Sequence, residues 1–165
     1  MISFLRQNRI AMLLLTVLRV FIGIQWLSAA FNKLLTPESF SASGLIQGAL
    51  AQESAYPWFQ DFLSLTTANG TNTQLFDTLV PLGQLLVGIA LLTGTFTLLA
   101  ASAGLLMNAS FILSGVISEN PTFIVIQVLL LIAGTNASKL GGDFFLQPWL
   151  RRQFSRLNGK QKTLA

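Results

Sequence analysis

The 165-residue chain has no cysteine and no histidine. Disulfides, thiol redox chemistry, thiolate metal clusters and His-ligated haem or zinc are therefore excluded. A redox role would have to borrow a cofactor or a partner. Charge is scarce too: Asp, Glu, Lys and Arg make up 10% of the chain, where a soluble domain carries about 25%. Hydrophobic residues reach 52%, and this imbalance points to one lipid-embedded domain. Gly-rich phosphate loops, nucleophile elbows and carboxylate metal clusters are lacking, so no catalytic residue and no metal are expected. The "NGT" and two "NAS" sequons read as chance matches, because the later two fall in or beside apolar runs.

The net charge of +4 is placed unevenly. Arg6 and Arg9 stand at the start; Arg151, Arg152, Arg156, Lys160 and Lys162 stand at the end. Clusters that flank apolar runs read as topology signals rather than as a nucleic-acid footprint, so no nucleic-acid partner is expected.

Four runs approach the roughly 20 residues that a bilayer requires. They lie at about 10–31, 75–94, 96–117 and 121–140, with Asn120 expected as N-cap and Pro121 in the first turn of the last. The first run is too long for a signal peptide and is read as an uncleaved span. Its twelve Leu, Ile, Val and Phe residues, at about −0.3 to −0.6 kcal/mol each, offset roughly +3 kcal/mol for the central Arg19. The basic termini place both ends in the cytoplasm, which suits four spans.

Between the first two spans, residues 32–74 form an external segment. "TPESF" gives a helix start at Thr36, and "YPWFQDFLSL" gathers Tyr56, Trp58, Phe59 and Phe62. One or two short interfacial helices are expected there, followed by a polar hinge at 66–73. The expected organisation is an all-α, four-helix transmembrane domain over 1–150 and a basic cytoplasmic tail over 151–165.

At about 100° per residue, Arg19, Trp26 and Lys33 share one stripe of the first span. The later spans carry stripes with Asp77, Pro81, Gln84 and Gly88; with Gly104, Asn108, Phe111 and Gly115; and with Gln127, Leu131 and Gly134. Lipid does not solvate amides, so these stripes should face inward. Counted from the span ends, Arg19, Gln84, Asn108 and Gln127 fall at similar depth, which predicts a polar midplane cluster centred on Arg19. Two readings stay open. The amides and helix carbonyls satisfy the guanidinium and fix register, or a bound anion or carbonyl completes the site because no acid lies at that depth. Lys33 and Asp77 are candidates for an outer-end pair, with Glu38 as the other partner for Lys33. Asp143, after "LGG", is read as an inner cap that bonds Arg6, Arg9 or a helix end.

"LRVFIGIQWLSAAFNKLL", "LVPLGQLLVGIALLTGTFT", "LLMNASFILSG", "NPTF" and "AGTNASKLGGD", in that order over nearly the whole chain, resemble the DoxX family of small bacterial membrane proteins, Gram-positive branch. The resemblance implies a four-helix bundle in the bacterial plasma membrane. That family includes a small subunit of an archaeal thiosulfate:quinone oxidoreductase and members linked to oxidative-stress complexes. Its members commonly carry glutamate where this chain has Gln84, and often where it has Gln127. Glutamine neither forms an ion pair nor relays protons at ordinary pH.

The expected function is an accessory subunit of a membrane redox system, not catalytic alone. Arg19, Gln84, Asn108 and Gln127 would hold a quinone-like or lipid-derived ligand between Trp26 and Phe111 as walls. Quinone is the candidate cofactor; membrane lipids, a redox protein and a second copy of the chain are the candidate partners. The alternatives are an oligomeric transporter or channel for a small solute, and a scaffold without a ligand.

Overall fold

The structure, a computed structural model, describes residues 2–35, 40–52 and 56–146. Among the described residues α-helices follow in order: α1 (Ile2–Gln7), α2 (Arg9–Leu34), α3 (Ser43–Ala51), α4 (Pro57–Thr67), α5 (Gln74–Thr93), α6 (Thr97–Leu113) and α7 (Asn120–Ala133), then a 3-10 turn at Gly134–Ala137 and a helical turn at 143–146. Among the described residues there is no strand. The signal at Thr36–Glu38, the Lys33–Glu38 pairing and the tail 151–165 lie outside the described residues.

Among the described residues, three helices are long and apolar enough to cross a bilayer: Arg9–Leu34, Gln74–Thr93, and α7 with its 3-10 extension, Asn120–Ala137. Their surface supports this assignment. On α2 the buried residues Ala11, Leu15, Arg19, Ile22, Trp26 and Ala30 form one stripe at three- and four-residue spacing. Leu13, Leu14, Val17, Phe21 and Ile24 are apolar and exposed on the rest of the same helix. Water would not tolerate so continuous an apolar surface, whereas acyl chains match it.

The four longest helices pack through small residues. A Cβ on Gly23 would lie 2.8 Å from the Leu92 amide nitrogen, and one on Gly88 would lie 2.9 Å from the Leu27 nitrogen. The α2 and α5 backbones therefore touch. Advancing from Gly23 to Leu27 while retreating from Leu92 to Gly88 shows that they run antiparallel. α5 turns into α6 within three residues, with Gly94 (φ 69°) and Phe96 (φ 52°) both left-handed. The shared core contains Leu15, Ile22, Trp26, Val87, Leu91, Ala101, Ile126 and Leu130. Hereafter the end carrying α3 and α4 is the upper end and the end carrying α1 is the lower.

Two boundaries differ from the sequence reading. The third run, expected over 96–117, is helical only over Thr97–Leu113, which is 17 residues or about 26 Å, against roughly 30 Å of hydrocarbon. It stops where Gly115 adopts φ 83° and Ser118 φ 34°. The fourth run, expected to reach Leu140, leaves the α-helix at Gly134 (φ 61°, ψ −133°), a conformation essentially restricted to glycine. The chain then folds back towards the bundle. Glu119 occupies the N-cap of α7, with Asn120 already helical and its Nδ2 donating to the Val116 carbonyl at 2.8 Å.

α3 and α4 cover the upper end. Gln60 Nε2 donates to the carbonyls of Ala49 (3.0 Å), Leu50 (3.3 Å) and Gln52 (2.9 Å), the acceptors that the end of α3 leaves open. Asp77 ties this unit to α5: one carboxylate oxygen accepts from the Ala42 amide at the start of α3, the other from Thr73 Oγ1 at 3.0 Å. The expected Lys33–Asp77 pair is thus replaced. Asp77 serves two helix starts, while Lys33 Nζ donates to the Ala29 carbonyl and lies 5.5 Å from the Phe40 ring centroid.

Candidate functional site

The structure separates Arg19 from the three amides. Gly94 closes the lower end of α5, and a Cβ there would fall 1.6 Å from Arg19 Nη1. Gln84 lies ten residues before Gly94 in the sequence, about 15 Å up the helix. Equal depth, as counted from span ends, assumed that all spans start level. α2 instead extends below the end of α5, packing there against α1 and the 3-10 turn.

At this lower level the returning chain completes a clasp. Arg19 is 1% exposed, and its Nη2 donates to the Leu140 carbonyl at 2.8 Å. The Gly142 amide donates to Thr93 O at 3.0 Å and the Asp143 amide to Gly94 O at 2.8 Å. The Asp143 carboxylate accepts from the amides of Phe96 (2.7 Å) and Thr97 (2.9 Å). It thereby satisfies orphan donors at the start of α6 and complements that helix's dipole. Counting by depth gave Arg19 no acid at its level; the fold-back of 138–143 brings Gly141 against Arg19 Nη1 and places Asp143 two residues further on. Arg6 is engaged elsewhere, its Nε donating to Ile132 O at 2.9 Å. Glycines make the clasp possible: a Cβ on Gly141 would meet Gly94 Cα and Arg19 Nη1, each at 2.7 Å.

The amides form a separate layer higher in the bundle. A Cβ on Gly104 would lie 2.3 Å from Gln127 Nε2 and 3.2 Å from Val87 Cγ1, so α5, α6 and α7 meet there. Gln84 is one turn above Val87 on the same face, and Asn108 is one turn above Gly104. Asn108 Nδ2 donates to Gln127 Oε1 at 2.9 Å. Much hydrogen-bonding capacity is still unused in this layer. Gln84 Oε1, Asn108 Oδ1, Gln127 Nε2 and Trp26 Nε1 are buried without a hydrogen-bond partner in the protein. Trp26 is a core residue, 3% exposed.

Above the layer a cavity of about 450 Å³ opens towards the upper end. Gln84 lines it from α5, Phe111 from α6, Lys33 from α2 and Glu119 from the start of α7. Gln25, Ser28, Asn32 and Asn120 add polar groups. Gln84 is 4% exposed, so a nearly buried amide with an unused acceptor borders an accessible space.

Several of these residues escaped the sequence reading. Gln25, Ser28 and Asn32 stand at i, i+3 and i+7 of α2, a polar stripe that helical spacing could have revealed. Asn136 Nδ2 donates to the carbonyls of Leu5 (2.8 Å) and Asn8 (3.2 Å), across a sequence separation that no local pattern signals.

Comparison with known proteins places no relative beside this arrangement: no protein-family model, no curated protein and no solved structure matches the chain.

Proposed function

We propose that this chain is a DoxX-like membrane protein with four spans, α6 being the short one. Its termini face the cytoplasm, so the upper end faces outward from a bacterial plasma membrane. The basic residues near both chain ends support that orientation. Its role is to hold the head group of a quinone-like or lipid-derived molecule in the upper cavity, as a non-catalytic accessory subunit for a membrane redox partner.

The observation that carries this reading is Gln84, a buried amide at the cavity wall with an unpaired oxygen. Leaving such a group unsatisfied costs about 1–3 kcal/mol. A ligand hydroxyl or amine donating to Oε1 recovers that cost. Lys33 and Asn120, which also line the cavity, have donors suited to a carbonyl, the group a quinone presents. A quinone, when bound, would supply the electron-carrying chemistry; the residues of this chain hold and orient its head group. Arg19 does not enter the site.

Native mass spectrometry of protein purified in nanodiscs tests the reading. A small-molecule adduct is expected on the wild type and lost in Gln84→Leu. An adduct of equal occupancy on both would overturn it.

A further inference from the structure

The upper cavity does not end at its polar walls. Leu45 of α3 and Phe111 of α6 line it on one side and, on the other, line a second space of about 90 Å³ between α3–α4 and α5–α6. That slot is apolar, bounded by Ile46, Phe59, Phe62, Phe76 and Val80. A polar chamber and an apolar slot thus share a wall of two side chains. The chamber carries one cation, Lys33, and one anion, Glu119, together with neutral hydrogen-bonding groups. A neutral ring would give neither charge an ionic partner.

We infer that the chamber and the slot together seat a zwitterionic lipid. Its phosphate lies towards Lys33, its amine towards Glu119, and the first part of one acyl chain passes between Leu45 and Phe111 into the slot. This rests on the binding role proposed above and names the ligand class for the same site. Gln84 Oε1 accepts from the head group's amine, which gives the buried acceptor its partner. The charges provide selection: an anionic lipid with a glycerol head lacks the cation that Glu119 recognises, and a quinone lacks both ionic groups.

The experiment uses the full chain in nanodiscs of equal parts phosphatidylethanolamine and phosphatidylglycerol, doped with a short-chain ubiquinone, and reads retained adducts by native mass spectrometry. Phosphatidylethanolamine should be preferred over phosphatidylglycerol by roughly fivefold, the scale of one partly exposed ionic contact. Glu119→Gln, at an exposed position, should bring that ratio near one while total lipid occupancy stays similar. Leu45→Trp, which obstructs the slot, should lower the occupancy of both lipids alike. A ratio unchanged in Glu119→Gln would overturn the inference. A dominant ubiquinone adduct that Gln84→Leu abolishes would also overturn it while leaving the binding role intact. No adduct of any class on the wild type would overturn both. Circular dichroism of each variant checks that helix content is retained.

Discussion

The two ends of the bundle handle buried polarity in opposite ways. At the lower end, Arg19, Asp143 and the backbone of 93–97 and 140–143 meet in a clasp held by glycine contacts and hydrogen bonds of 2.7–3.0 Å. Higher in the bundle, amides of comparable burial keep unused donors and acceptors, and one of them, Gln84, lines an open cavity. Arg19 itself keeps Nε and Nη1 unpaired, but Nη1 lies against Gly94 and Gly141 with no room for a methyl group, far less a ligand. A polar group deep in a lipid-embedded bundle is therefore not by itself a binding site. What separates the two ends is accessible space beside Gln84, a residue that carries one of the unsatisfied atoms.

The comparison breaks most readily at the clasp. Gly94→Val combines left-handed strain with a Cβ driven into Arg19, and should destabilise by roughly 2–6 kcal/mol, the sum of backbone strain and overpacking. Thermal unfolding in detergent would measure it, and a loss under 1 kcal/mol would mean that the approach of α5 to the 140–143 segment is looser than described. Arg19→Leu removes a charged hydrogen bond to Leu140 and should cost about 1.5–3 kcal/mol. Asp143→Ala strips two amides at the start of α6 of their acceptor, for a loss of about 0.5–2 kcal/mol.

The smallest expected effect has the opposite sign. Gln84→Leu replaces an amide with an unpaired oxygen by a side chain of similar size. In lipid-free detergent it should raise stability by up to about 1 kcal/mol. Destabilisation of similar size would mean that Gln84 already has a structural partner.

Much of the helical skeleton was legible in the sequence. α5 occupies Gln74–Thr93, against an apolar run read over 75–94, because its periodicity and length agree. The inward stripes of Gln84, Asn108 and Gln127 followed from helical spacing, and all three are buried. Vertical position was not legible. Arg19 could be assigned to a face by the 100° rule, but its height depends on how far α2 extends below α5 and on where 138–143 returns. Both are set by contacts more than a hundred residues apart, such as Arg19–Leu140 and Asn136–Leu5. For the same reason Asp143 read only as an inner cap bonding Arg6, Arg9 or a helix end, with no choice among the three. The upper cavity was invisible because it is bounded by α2, α3, α5, α6 and α7 together, and no single stretch encodes its volume.

The most direct test compares adduct retention by native mass spectrometry in Arg19→Leu and Gln84→Leu, each purified in the same nanodiscs as the wild type. A ligand seated at the upper cavity should survive the loss of Arg19, even in a less stable bundle, and disappear with Gln84. Loss of the adduct in Arg19→Leu with full retention in Gln84→Leu would contradict the account and return the ligand to the arginine.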